Sequence, residues 1–172
     1  MAWIIAVCAL LFTIGSFWWI NVRRGQLRSY TPTTYAASMS GAKLVVCVPL
    51  VLYNSGAAPI VVLTMRLRFV DAPVGAGAVP WQNTREKLPP DPSTKSLAAV
   101  FAVAGRTAEQ RYVEFSRDDL GFSPPHVRVP VVVEARLAHK QDFQPLIQFT
   151  LDVERIAGQA QYRSYSNDPV YD

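Results

Sequence analysis

The chain has 172 residues, half of them hydrophobic and 17% charged, with 17 Lys+Arg against 13 Asp+Glu and a formal net charge of +4. That apolar content excludes a disordered chain, and two cysteines exclude a disulfide scaffold. Arg23, Arg24 and Arg28 carry three of the positive charges, so the rest is nearly balanced and lacks the basic stripe of a nucleic-acid binder.

Ala2 to Ile20 is an unbroken apolar run, AWIIAVCALLFTIGSFWWI, with no charged residue. At ~1.5 Å of rise per residue, a helix of this length spans roughly 28 Å, close to the ~30 Å hydrocarbon core of a bilayer. This predicts a transmembrane helix over residues 1–21. A cleaved signal peptide has a charged start, an apolar stretch of about 7–15 residues and a small-residue cleavage site directly after it. None of these is present; Thr34-Tyr35-Ala36 lies far downstream, beyond the three arginines. A buried core helix would not end in Trp-Trp and then Arg-Arg.

Trp18 and Trp19 are expected at the headgroup level, with Arg23, Arg24 and Arg28 against anionic lipid. Basic flanks mark the cytoplasmic side, so the expected arrangement is a single-pass cell-membrane protein with its domain in the cytoplasm. The external side stays open as an alternative. Cys8 lies in the span and Cys47 in an expected strand, so no disulfide is expected between them.

Residues 22–42 read as a juxtamembrane connector, because the apolar residues there follow no period. A β-sandwich domain is expected over residues 43–165. Its first strand is Lys43 to Tyr53, apolar on both faces, with Pro49 marking an edge or a bulge. Asn54-Ser55-Gly56-Ala57-Ala58-Pro59 is a turn. Ile60 to Val70 alternates, which places Val61, Leu63, Met65, Leu67 and Phe69 on one face and Val62, Thr64, Arg66 and Arg68 on the other. Asp71 to Ser96 reads as a long irregular loop containing Trp81. Leu97–Val103 and Gln110–Phe115 are expected to form a hairpin. Ser116–Pro125 is a second loop. Val127–Leu137 and Leu146–Glu154 alternate again, and Tyr162–Tyr165 offers a short strand before a tail over residues 166–172. Six or seven short antiparallel strands with Gly, Pro and Asn turns point to an immunoglobulin-like sandwich. The fold class is therefore mainly β, an N-terminal transmembrane helix followed by that sandwich.

The chemistry-bearing residues are sparse. His126 and His139 flank one strand too far apart to share an ion, and no Cys-x-x-Cys is present. Gly121-Phe122-Ser123-Pro124-Pro125 lacks the second glycine of a nucleophile elbow. Gly75-Ala76-Gly77 has no following Gly-Lys-Ser/Thr. No cofactor, metal or small-molecule substrate is expected. Glu114, Asp118, Asp119 and His126 are the candidates for an enzymatic or metal-binding alternative.

The span, then Val22-Arg23-Arg24-Gly25, then residues 49–62 with Arg66-Leu67-Arg68-Phe69, resembles uncharacterised bacterial proteins, mainly actinobacterial, that carry an N-terminal membrane segment and a β-rich domain. The resemblance implies an anchored immunoglobulin-like domain and carries no catalytic residues to transfer. The expected partners are the lipid bilayer and another protein. Trp81, Arg85, Lys87, Arg117 and Phe122, on the two long loops, are the expected contact surface. A further alternative is an outward-facing domain that acts on cell-envelope components.

Overall fold

A computed structural model describes residues 2–73, 76–91, 94–125 and 127–167. The chain opens with helix α1 (Ala2–Phe17), which runs into a π-helical turn, Trp18–Val22. Together Ala2–Val22 has a hydropathy of 2.0, and none of it is buried. By length and composition it suffices to cross a membrane; a signal sequence meets the same test.

Among the described residues, the strands after the helix all pair antiparallel; a four-residue helical turn, α2 (Val153–Ile156), interrupts them, and one isolated parallel bridge joins Met39 to Ala157. The strands are β1 (Leu27–Arg28), β2 (Thr34–Ser40), β3 (Lys43–Asn54), β4 (Ile60–Phe69), β5 (Ala78–Arg85), β6 (Lys95–Leu97), β7 (Phe101–Val103), β8 (Ala108–Arg117), β9 (Arg128–Leu137), β10 (Phe143–Asp152) and β11 (Gln159–Ser166). They form one curled sheet in the order β10-β9-β4-β5-β8-β3-β2-β11. Its two halves close over a single core that includes Leu44, Leu50, Met65, Phe115, Val133 and Leu151. The result is a sandwich-like domain.

Strand β5 belongs to both halves. Its start pairs with β4 (Leu67↔Val79), and the rest pairs with β8 (Trp81↔Phe115, Arg85↔Tyr112). Past this fork β4 and β5 diverge. Strand β7 fills the free side of β4 (Ile60↔Val103), and β6 fills that of β5 (Asn83↔Leu97). The segment from Lys95 to Val103 thus bridges the fork. Trp81 packs edge-on against Phe101 beneath it, ring centroids 6.0 Å apart. At the other margin Tyr35 of β2 stacks on Tyr165 of β11 and meets Phe149 of β10 at 5.6 Å. Its hydroxyl accepts the Asp152 backbone N–H at 3.0 Å.

Several expectations need correction. Residues 22–42 do not form an open connector: β1 and β2 lie within them, and Tyr35, Ala36 and Ala37 are buried. Asp71–Ser96 is not irregular throughout, since it contains β5 and the start of β6. The hairpin of Leu97–Val103 with Gln110–Phe115 does not form, because β7 pairs with β4 while β8 pairs with β3 and β5. A register shift between Val62 and Thr64 flips the phase of β4. Ile60 and Val62 are therefore buried at its start, where Val61 and Leu63 had the alternation in their favour. Val127, expected to face inward, is exposed just before β9. Pro49 causes no bulge: its register with Tyr112 of β8 is unbroken. On its other side it lies between the last β2 pair, at Cys47, and the first β1 pair, at Tyr53, where no ladder donor is required.

Candidate functional site

Cross-strand partners in an antiparallel sheet point to the same face. One such row crosses the outer face as Ala36 (β2), Cys47 (β3), Glu114 (β8) and Asn83 (β5). Small side chains at Ala36 and Cys47 leave a trough, and Tyr162 reaches along it from β11 so that its hydroxyl donates to Glu114 Oε2 at 2.6 Å. Asn83 Nδ2 donates to Oε1 at 2.9 Å, Arg85 Nε donates to Oε2, and Lys95 Nζ stands 3.3 Å from Oε1. Glu114 is only 2% exposed.

Burial alone would push the Glu114 carboxyl up. Hydrogen bonds from Tyr162, Arg85 and Asn83, with the Arg85 charge, outweigh it and hold the group below its ordinary range. Burial also raises the Tyr162 phenol, and its bond to the carboxylate adds to that rise. It pushes the Cys47 thiol up to about 12, helped by the Glu114 charge. Both carboxylate oxygens are thus engaged by donors on three other strands. This arrangement supports a structural ion network rather than a proton-transfer site.

The carboxylate candidates do not converge. Asp118 pairs with Lys43 at 2.8 Å, and Asp119 accepts the Gly121 backbone N–H at 2.9 Å. Among the described residues no group of three His, Cys, Asp or Glu side chains is placed to hold a metal ion. His126, like Gly75, lies outside the described residues. A second ion cluster, on the outer face of β4 and β9, joins Glu134 to Arg66 at 2.7 Å and Arg68 at 3.0 Å.

The five expected contact residues do not share a surface. Trp81 is 5% exposed, its indole N–H donating to the Asn83 carbonyl at 2.8 Å. Arg85 is held by Glu114, and Arg117 Nη1 donates to the Ala78 carbonyl at 2.8 Å. Phe122 packs edge-on against Phe69 near the start of β5, with ring centroids 5.3 Å apart. Lys87 is exposed, but it follows the other end of β5. An eight-residue strand separates the two, roughly 26 Å at ~3.3 Å per residue.

The junction between the helix and the sheet is more tightly built than sequence reasoning expects. The Arg23 carbonyl accepts the backbone N–H of Ala57 at 2.8 Å and of Ala58 at 3.3 Å. Arg23 Nη2 donates to the Ser55 carbonyl at 3.2 Å, and its guanidinium lies 4.1 Å from the Trp19 ring centroid. Arg106, at φ 56° in the turn before β8, donates to the Trp19 carbonyl at 3.0 Å. Gly25 and Gly56 touch so closely that a Cβ on either would strike the other's backbone. Asn54 organises this corner from inside: its Nδ2 donates to the Ala58 and Val103 carbonyls, and its Oδ1 accepts the Gly56 N–H. Trp18 is exposed in the same helical turn; Arg24 and Arg28 lie exposed beyond it, and Arg28 reaches Gln26 at 3.3 Å. The junction was hidden in sequence because its halves lie some thirty residues apart; Asn54-Ser55-Gly56 signals a turn but not what docks on it.

No protein-family model matches the chain, and comparison with curated proteins gives no match. The functional reading therefore rests on the geometry above.

Proposed function

We propose that this chain is a single-pass membrane protein whose immunoglobulin-like domain is a non-enzymatic interaction module, and that it meets its partner through the Leu97–Val100 bridge. The observation that carries the reading is an exposed apolar run at that bridge. Leu97 is 81% and Val100 60% exposed, with Ala98 and Ala99 exposed between them. Apolar surface gathered in one segment marks interaction sites more than isolated apolar residues do. This surface replaces the one built on Trp81 and Arg85, whose side chains are engaged inside the domain.

Membrane anchoring draws support from the junction. Residues directly after the helix are integral to the domain: Leu27 is buried, and β1 pairs with β3. Cleavage at Thr34-Tyr35-Ala36 would cut through β2 and remove the Tyr35 contacts that join the two halves. The basic flank of Arg23, Arg24 and Arg28 favours a cytoplasmic domain.

The test places a photo-crosslinking residue at Ala98 of the full chain in cells. A discrete adduct that disappears in Leu97→Asp/Val100→Asp, with the melting temperature unchanged, supports the reading. Its persistence in that variant, or the lack of any adduct, overturns it. Paired reporters fused at the C-terminus read the side: an active external reporter moves the domain to the outer face.

A further inference from the structure

Two open clefts flank the helix–sheet junction. One, of about 230 Å³, lies between Gly25–Leu27 and the β9–β10 turn, where Lys140 and Gln144 line it. The other, of about 370 Å³, lies between Arg24, Pro59–Val61 and the same turn. His139 lines both. We propose that these adjoining clefts form a binding site for the phosphodiester headgroup of an anionic phospholipid, gripped by Arg24 and Lys140 with His139 between them. The inference rests on the membrane-anchored reading of the helix.

The first argument is charge. Arg24 is exposed and forms no ion pair among the described residues. Lys140 spends one ammonium proton on Gln144 Oε1 at 2.9 Å, which leaves two donors for a ligand. Arg23, Arg28 and Arg106 stand on the same end of the domain. Asp142 is the carboxylate within the β9–β10 turn, and it makes no ion pair with Lys140 among the described residues.

The second argument is position. Arg23, Gln26 and Arg106 bond the sheet to the final turn of the helix and the residues after it, so the clefts are held at the height where the helix ends. A span ending at Trp18 and Trp19 puts that height among the headgroups, where lipid phosphates are concentrated. A flexible tether would leave the β9–β10 turn at no defined depth; the backbone bonds from Arg23 to Ala57 and Ala58 fix it.

The third is that the site is composite. Arg24 comes from the segment after the helix and Lys140 from a turn more than a hundred residues later, brought alongside by the Ala138 N–H bond to the Val61 carbonyl at 3.0 Å. Juxtamembrane arginines alone would attract any anionic surface. Two walls that share His139 can select one headgroup.

The experiment uses the full chain in neutral detergent with mixed phosphatidylcholine and phosphatidylglycerol, and native mass spectrometry counts the lipids retained. Wild type is expected to enrich phosphatidylglycerol, and Arg24→Gln/Lys140→Gln to lose that enrichment by roughly tenfold. Lys43→Gln, at the opposite end of β3, is expected to behave as wild type. An unchanged ratio in the double variant, with its melting temperature held, overturns the site. Inorganic phosphate in excess is expected to leave the lipid bound; displacement by phosphate alone assigns the site to a free anion and overturns the lipid. Intact mass of the chain isolated from membranes separates the two failures. Loss of the helix sinks the anchored reading, whereas an intact chain without phosphatidylglycerol enrichment sinks only the cleft.

Discussion

Gly25 and Gly56 meet backbone to backbone at the point where the helix joins the sheet. A Cβ built on Gly25 would lie 1.8 Å from the Gly56 nitrogen, and one on Gly56 1.9 Å from the Gly25 nitrogen. Neither clash is with a flexible side chain, so the backbones must part to admit a methyl group. Gly56→Ala is expected to cost about 1–3 kcal/mol, read by denaturant unfolding of the full chain in detergent. An unaltered midpoint would mean that the corner adjusts without strain.

Asn54 is fully buried and satisfies three backbone groups around that same corner. Asn54→Ala leaves them without partners, at a cost of roughly 2–4 kcal/mol. Asn54→Asp keeps the size but turns the two donated bonds into repulsions with the Ala58 and Val103 carbonyls. It is expected to destabilise at least as much as alanine. Equal stability of the Asn54→Asp variant and wild type would show that the amide donors contribute nothing.

Glu114→Gln strips the charge that compensates Arg85 and Lys95 and is expected to lower stability by about 3–5 kcal/mol, the range for breaking one side of a buried pair. Its pH signature has a definite sign. The folded carboxyl sits below its unfolded value of ~4.3, so its contribution is complete above that value and is lost as pH falls through the folded one. Wild type is thus expected to lose melting temperature on acidification below about pH 4.3, with a shallower loss in Glu114→Gln. Parallel acid profiles for the two proteins would refute the network's role.

Cys47 is buried on the outer face beneath the Tyr162 trough, with its thiol pushed up to about 12. The thiolate is the reactive form. In a Cys8→Ser background, maleimide is expected to leave the folded protein unlabelled and to modify it once urea unfolds the sheet. Rapid labelling in native buffer would mean that the trough opens readily. Tyr162→Ala is expected to speed native labelling by removing its cover.

Strands whose inward faces carry large apolar residues were legible from period alone. Val129, Val131, Val133 and Ala135 of β9 and Ile147, Phe149 and Leu151 of β10 are buried as the alternation requires. Strand β2 was not legible: TYAASMS buries Ala36 and Ala37, whose smallness leaves no hydrophobic pattern. Strand β5 was masked by Pro80 and by polar residues at Gln82, Asn83 and Thr84, of which Asn83 meets its partner, Glu114, on another strand. In β4 the run Ile60-Val61-Val62-Leu63 is apolar throughout, so nothing in it locates the bulge. Glu114 was picked out only as a candidate for an enzymatic or metal-binding alternative. Its partners Asn83, Arg85 and Tyr162 stand 31, 29 and 48 residues away, beyond any local spacing rule.

The pairing of β2 with β11 also sets a timetable. Asn167 Nδ2 donates to the Pro32 carbonyl, and the two residues are 135 positions apart. At the ~5–20 residues per second of protein synthesis, β2 waits on the order of ten seconds before its outer neighbour exists. Over that interval its free edge, with Tyr35 lacking Phe149 and Tyr165, needs shielding from other edges.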